Sequence, residues 1–184
     1  MEKISLGKGV INYPMPVALV GVTVNGKVNF ITAAWFSMVS NNPPRVAISL
    51  AKHHYSNSGI KENKVFSLCF PSEKHIKITD LCGLVSGARV DKSNFFELFY
   101  GELENAPMIK DFQFNVECSL VNTIENGFHE TFIGDIIGMY ADENVLTNGK
   151  VNLDILQPIL LGQLNTEYRC LGEKIGQAWN IGRS

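Results

Sequence analysis

The sequence lacks the features that would place the protein in a membrane or on a nucleic acid. No apolar run approaches the roughly 18–20 residues that a membrane-spanning helix needs. Pro14 and Pro16 interrupt the N-terminal apolar stretch, so no signal peptide is predicted. Lysine and arginine total 16 against 18 acidic residues, for a net charge of −2, and they form no cluster. We therefore predict neither a membrane nor a nucleic acid as a partner.

Cysteine is scarce and widely spaced. The four cysteines are Cys69, Cys82, Cys118 and Cys170, and the chain has no Cys-x-x-Cys pair. This spacing excludes the usual zinc and iron–sulfur sites, so we predict no metal. Free thiols are typical of a reducing compartment, which predicts a cytoplasmic location. A thiol enzyme that uses Cys82 or Cys118 stays open as one alternative, although a buried and inert thiol is the commoner case.

Nucleotide-binding and hydrolase motifs are also missing. The segment GVTVNGK, residues 21–27, has the spacing of a phosphate-binding loop, but Val28 follows where a magnesium-binding hydroxyl is required. Its second glycine belongs to Asn25-Gly26, which is typical of a hairpin turn and not of the start of a helix. No Gly-x-Gly-x-x-Gly, His-Glu-x-x-His or Gly-x-Ser-x-Gly motif occurs, which argues against Rossmann, zinc hydrolase and serine hydrolase sites.

Short strands joined by Asn-Gly turns dominate what is present. The patterns predict strands over residues 17–24, 27–37, 45–50, 65–70, 114–124 and 129–141. They predict helices over 56–63, with Ser56 or Ser58 as N-cap, over 73–87 after Ser72, and over 91–99. We expect one domain, residues 1–184, of mainly β (α+β) class: a β-barrel with a few peripheral helices.

The segment 31–60 places many hydrogen-bonding groups on strands that otherwise look buried. Thr32, Ser37 and Ser49 offer hydroxyls, and the small pair Ala33-Ala34 would let a flat ligand approach the backbone. Residues 52–54, Lys-His-His, add positive charge. A ligand site is one interpretation. Half-buried strand hydroxyls and a solvated histidine loop are the ordinary alternative.

His129, after the turn at residues 125–127, is a candidate neutral donor near a redox or carbonyl group, and an exposed turn histidine is the alternative. Trp35 could form the wall of a planar site or belong to the core.

Together these segments resemble the flavin reductase-like family, the FMN-binding split-barrel proteins that include flavoredoxin. The resemblance extends from Pro14 to about Gly182, and the order and spacing of its motifs make it strong. The matching residues are Gly26, Asn29, Ser40, Pro43, Pro44, Ser56, Ile60, Phe66, Ser86, Gly87, Asp91, Lys92, Ala106, Pro107, Glu117, Cys118, His129, Gly134, Tyr168, Leu171, Gly172 and Gly176.

The resemblance implies a split β-barrel with FMN along its edge, usually at a homodimer interface. It implies that the isoalloxazine ring lies along residues 32–35, with hydroxyls near the ribityl chain or phosphate. The cofactor-binding residues it implies are Asn29, Thr32, Ala33, Ala34, Trp35, Ser37, Ser49, Leu50, Lys52, His54, Ser56 and Ser58. Many relatives have an arginine before the phosphate-binding hydroxyl, whereas this chain has Lys52, His53 and His54, and which of these meets the phosphate stays open.

Two redox functions fit this resemblance. In one, the protein is a flavoredoxin-like carrier that passes electrons between protein partners. In the other, it is an NAD(P)H-dependent flavin reductase, with His129 near the nicotinamide or the acceptor. A barrel that binds a small ligand without redox chemistry is the alternative from another class.

Overall fold

The structure is a computed structural model that describes residues 1–183. Its strands and α-helices follow one another in chain order. The strands are β1 (Pro14–Pro16), β2 (Ala18–Val24), β3 (Lys27–Ala33), β4 (Phe36–Asn41), β5 (Pro44–Ala51), β6 (Val65–Phe70), β7 (Leu98–Phe99), β8 (Met108–Ile109), β9 (Phe114–Asn126), β10 (His129–Ala141), β11 (Leu146–Thr147), β12 (Lys150–Val151), β13 (Ile159–Gly162) and β14 (Glu167–Cys170). The helices are α1 (Ser56–Asn63), α2 (Ile76–Leu84) and α3 (Leu153–Leu156).

One seven-stranded antiparallel sheet, in the order β3-β2-β6-β9-β10-β5-β4, forms the body of the protein. Its outermost strands, β3 and β4, are consecutive in the chain and are joined by Ala34 and Trp35 alone. Because so short a link cannot cross an open seven-stranded sheet of neighbours about 4.8 Å apart, the sheet curls until its edges approach. This geometry is the split barrel, and it confirms the predicted mainly β class.

The first hairpin forms where the sequence predicts it. Asn25 and Gly26 have φ angles of 49° and 74°, the left-handed conformation that a two-residue turn of this kind requires. Val24 therefore faces Lys27, and the pairing continues to Ala18 opposite Ala33. The hairpin of β9 and β10 is also confirmed, but its turn is formed by Gly127 and Phe128 and not by residues 125–127, because β9 continues to Asn126, opposite His129.

The predicted strand 27–37 is interrupted. β3 ends at Ala33 and β4 begins at Phe36, because the chain leaves one edge of the sheet and joins the other at this point. The carbonyl of Trp35 accepts the backbone N–H of Ser49 at 2.8 Å, which ties the crossing to β5.

The helices differ from the prediction in their ends. Tyr55 is the N-cap of α1, so the predicted Ser56 is its first residue. Ser72 does precede a helical segment, but a 3-10 turn at Glu73–His75 comes before α2, which ends at Leu84 and not at Gly87. In the region 91–99, Lys92–Phe95 forms a 3-10 turn and the remainder leads into β7.

The core divides into two layers, one inside the barrel and one between the sheet and α2. Phe66, Ile48 and Phe132 are fully buried in the first layer, while Phe30 and Phe112 are buried in the second with Cys82 of α2. Since α1 packs on β2 and α2 packs on β3, both helices lie beside the edge strand β3. None of the helices within residues 1–183 is long and apolar enough to cross a membrane.

Candidate functional site

A pocket of about 210 Å³ lies beside edge strand β3, between the start of α1 and the end of α2. We call it the cationic pocket. Its lining residues are Asn29, Ile31, His53, His54, Tyr55, Ser56, Cys82, Gly83, Leu84, Val85, Ser86, Gly87 and Lys92. Residues from β3, α1, α2 and the following loop therefore meet at one edge of the barrel.

Asn29 and Ser56 hold the floor of the cationic pocket together. Both are buried, and Nδ2 of Asn29 donates to Oγ of Ser56 at 2.7 Å. Oδ1 of Asn29 has no partner within the described chain. A Cβ built on Gly87 would lie 2.0 Å from that same Oδ1. The loop after α2 can lie against Asn29 only because residue 87 has no side chain.

Lys92 brings a buried ammonium to the same pocket. Only 2% of Lys92 is exposed, and its Nζ donates to the carbonyls of Phe30 and Cys82, each at 2.7 Å. Within residues 1–183 no carboxylate pairs with it. Burial lowers the pKa of Lys92, an effect that the neighbouring Cys82 opposes. An ammonium has three N–H donors, so two carbonyls leave one donor for another acceptor.

His54 adds an unpartnered ring nitrogen. Its Nδ1 is buried and finds no hydrogen-bond partner among residues 1–183. Burial lowers the pKa of His54, and the nearby charges of His53, His129 and Lys92 lower it further. Every charged neighbour that acts on His54 is thus cationic or can become so. An anion in this pocket would meet favourable potential from all of them.

A second pocket of about 610 Å³ lies at the link between β3 and β4. We call it the Trp35 pocket. Its lining residues are Ile11, Tyr13, Pro14, Met15, Pro16, Ala34, Trp35, Phe36, Ser37, Ala47 and Ser49. Its walls are mainly apolar and aromatic, with hydroxyls from the two serines.

Trp35 is held in place from two sides. Its Nε1 donates to Oε1 of Gln163 at 3.2 Å, and its ring lies 4.8 Å from that of His129 with an interplanar angle of 31°. His129 lines neither pocket, but it contacts Trp35 and its charge would also act on His54. Ser49, on β5, shares a 2.6 Å hydrogen bond with Thr131 of β10.

The structure brings most of the sequence-predicted residues to these two pockets. Asn29, His54 and Ser56 line the cationic pocket. Ala34, Trp35, Ser37 and Ser49 line the Trp35 pocket, and His129 lines neither pocket but contacts the ring of Trp35. The positions predicted from the resemblance thus form two adjoining sets.

Five of the predicted cofactor-binding residues line neither pocket. Ala33 and Leu50 are 5% and 2% exposed in the barrel core. Thr32 points to α2, where its hydroxyl donates to the carbonyl of Thr79. Lys52 is exposed and forms an ion pair with Glu125 at 2.8 Å, and Ser58 is exposed and donates to the carbonyl of Tyr55. Of the three candidate cations, His53 and His54 line the cationic pocket and Lys52 does not.

Several pocket residues were not in the predicted set. Lys92, Cys82, Ser86 and Gly87 all line the cationic pocket. The segment SGARVDK, residues 86–92, gave the only sequence signal for Ser86, Gly87 and Lys92, because it resembles a family element, whereas Cys82 was considered only as a catalytic thiol. Nothing in the local pattern shows that a lysine 62 positions after Phe30 returns to that residue's carbonyl.

The thiols are poorly suited to catalysis. Cys69, Cys82 and Cys118 are buried free cysteines in the described chain. Burial raises the pKa of Cys82 to about 11 and that of Cys118 further still. Since the thiolate is the nucleophile, neither group is activated, and the thiol-enzyme alternative loses support. Residues 1–183 contain no group of three metal-ligating side chains.

Comparison with known proteins gives one consistent result. The family profile described as the flavin reductase like domain matches residues 10–165. The chain is 44% identical to flavoredoxin from Methanosarcina acetivorans, with a TM-score of 0.97 over 100% of this chain and 98% of that one. Flavoredoxin of Desulfovibrio vulgaris (Miyazaki F) is 31% identical, with a TM-score of 0.92 over 99% and 100% of the two chains. An uncharacterized protein from Archaeoglobus fulgidus is 32% identical over 68% of this chain and 71% of its own length.

Proposed function

The chain belongs to the flavin reductase-like family, and from that premise we propose that it binds FMN across the cationic and Trp35 pockets. Membership in this family makes it a flavin-binding protein that transfers electrons. The choice of FMN, the residues that bind it, the homodimer and the electron donor are our proposals.

The chemistry of the cationic pocket suits a phosphate. A phosphate that leaves bulk water needs several donors and a compensating charge. Lys92, the Ser56 hydroxyl and the unpartnered Nδ1 of His54 offer this combination. The pocket volume of about 210 Å³ is below the roughly 300–1,000 Å³ of sites that enclose a whole ligand. It therefore suits the phosphate end of the cofactor and leaves the ring elsewhere.

The Trp35 pocket suits the flavin ring. Its volume of about 610 Å³ falls within that range, and Ala34 and Ala47 leave room beside Trp35. The flavin, when bound, supplies the two-electron and one-electron chemistry. The chain binds it, excludes water and sets the polarity around it. His129, stacked on Trp35, is our candidate for the protein group that faces the electron donor or acceptor.

The observation that carries the proposal is an unneutralised cationic pocket beside β3 and an aromatic pocket at the end of the same strand. The first test is a titration of purified protein with FMN and with riboflavin, which lacks the phosphate, followed by flavin fluorescence. We expect FMN to bind more tightly than riboflavin. A colourless protein that binds neither flavin would favour the non-redox binding module instead.

The second test separates the two redox functions. NADH and NADPH are added in turn to the FMN-loaded protein without oxygen. Rapid bleaching of the flavin band identifies a reductase, in which His129→Ala should slow bleaching without loss of FMN. Bleaching only with a protein donor identifies an electron carrier between protein partners.

We also propose a homodimer. Phe128 and Met139 on β10 and its turn are 89% and 66% exposed, and Val39 on β4 is 52% exposed. These apolar side chains are spread along β10 and β4, and they are the surface that a second copy of the chain would cover. Sedimentation equilibrium at two concentrations, with Phe128→Ser as the variant, tests this. The single domain over residues 1–184 and the cytoplasmic location, which the free thiols favour, stay predictions.

A further inference from the structure

A buried carboxylate joins the strand of His129 to the helix of Ser56. Glu130 follows His129 on β10 and is only 7% exposed. Its Oε2 accepts from Nδ2 of Asn57 at 2.8 Å, and its Oε1 accepts from Nζ of Lys61 at 2.9 Å. Asn57 follows Ser56 at the start of α1. One side chain therefore connects the two segments that border the proposed site.

Asn57 in turn closes the loop that carries the histidines of the cationic pocket. Its Nδ2 donates to the carbonyl of Ala51, the last residue of β5, at 3.1 Å, and its backbone N–H donates to the carbonyl of His54. The loop of residues 52–55 is thus fastened at its start and within it by one residue. Asn57 is 2% exposed, so water does not substitute for these partners.

The orientation of the Asn57 amide depends on Glu130. Oδ1 of Asn57 has no partner in the part of the chain that the structure describes, so only the donor side fixes the group. Without the carboxylate, Nδ2 keeps a single partner, the Ala51 carbonyl. The Lys61 ammonium, about half exposed, would turn to solvent. The loop would then lose its side-chain contact with β10, while the backbone hydrogen bond from Lys52 to the carbonyl of Phe128 would hold only its first residue.

We propose that Glu130 is a positioning residue for the phosphate end of the cofactor, acting through Asn57. The inference rests on the proposed function, because it assigns the phosphate to the cationic pocket. Glu130 itself lines neither pocket. It holds His54 and Ser56 where an anion can meet both, and its neighbour His129 belongs to the same strand.

The test compares FMN with riboflavin, because only FMN has the phosphate. Glu130→Ala should weaken FMN binding about tenfold, the effect of losing one hydrogen bond to a charged group, and leave riboflavin binding unchanged. Asn57→Ala should reproduce this pattern. Glu130→Gln, which still offers an acceptor to Asn57, should restore most of the affinity. The matched control is Glu62→Ala, which removes an exposed carboxylate from the same helix, α1, and should leave the binding of both flavins unchanged.

Two other results would contradict the inference about Glu130. An equal loss of both flavins would show that Glu130 only stabilises the fold, and unchanged FMN binding in Glu130→Ala would also overturn the inference. If Glu130→Ala does not fold, Glu130→Asp is measured instead, because the shorter side chain keeps the charge but moves it away from Asn57. This variant should lower the affinity for FMN and leave the affinity for riboflavin unchanged. A wild-type protein that binds FMN no better than riboflavin would refute the proposed phosphate site itself.

Discussion

The contribution of His54 to FMN binding should become smaller as the pH rises. In the free protein, burial and three cationic neighbours lower the pKa of His54 below its ordinary 6.5, so the ring is neutral at pH 7. A bound phosphate would oppose those neighbours and raise the pKa. Binding then takes up a proton, and affinity is greatest below the pKa of the free protein.

The size of the effect follows from the charge pair. An opposite charge within about 4–6 Å raises a pKa by about 1–3 units, and each unit is worth about 1.4 kcal/mol. Because His54 is only partly buried, solvent screening favours the lower end of this range. We therefore expect the affinity to fall about tenfold between the low-pH and high-pH limits, with a slope of up to one decade per pH unit.

The assay must separate His54 from the phosphate, which itself titrates near pH 6. His54→Asn keeps a neutral donor close to the place of Nδ1 and does not titrate. FMN affinity is measured for both proteins by flavin fluorescence across pH 5–8, and the wild-type value is divided by that of the variant. The ratio should fall as the pH rises. A constant ratio would refute the reasoning, whatever the two curves do separately.

Three further predictions use the same purified protein. Ser56→Ala should weaken FMN binding by about 1–3 kcal/mol, the cost of losing a buried hydrogen bond, and should leave riboflavin binding unchanged in the same fluorescence titration. The control is Ser49→Ala, which removes a hydroxyl from the Trp35 pocket and should leave the preference for FMN over riboflavin unchanged. Gly87→Ala should lower the free energy of unfolding in urea by about 1–3 kcal/mol, because the new Cβ would lie 2.0 Å from Oδ1 of the buried Asn29. The control is Gly172→Ala, whose Cβ meets nothing within 4 Å. Equal unfolding midpoints for the two variants would contradict the close contact between Gly87 and Asn29. Burial lowers the pKa of His75 to about 4, so its stabilising contribution is complete above pH 6.5 and is lost as the pH falls toward 4. His75→Gln should therefore lose less free energy of unfolding than the wild type between pH 7 and pH 4. Equal losses in the two proteins would contradict the lowered pKa of His75.

The barrel was predictable because its signals are local. Asn25-Gly26 fixes a turn by the conformations that these two residues accept. The run 17–24 is apolar except for Thr23 because both faces of β2 are covered. The break at Ala34 and Trp35 was not predictable. The break exists because β3 and β4 lie at opposite edges of one sheet. The sequence of residues 27–37 does not show which strands its two halves will pair with.

The candidate site divides in the same way. Ser56 and Trp35 were found because a hydroxyl or an aromatic ring in an apolar segment is visible in the sequence. Lys92 was missed as a pocket residue, since an isolated lysine near an aspartate looks like any solvated charge. The burial of Lys92 depends on the tertiary structure, because the carbonyls that accept its hydrogen bonds belong to β3 and α2. Lys52 shows the converse, because a conspicuous positive charge lies outside the pockets and pairs with Glu125.

The contact between Lys92 and the carbonyl of Phe30 has a consequence for the molecule's behaviour in solution. β3 is a border strand, and its free side is a template on which a foreign strand could add itself. The buried ammonium occupies one backbone acceptor of that strand, and the 3-10 turn at Lys92–Phe95 and α2 pack over the same strand. The residues that form the cationic pocket thus also protect the edge of β3 against the addition of a foreign strand. Variants that loosen residues 86–95 are then expected to precipitate before they lose their secondary structure.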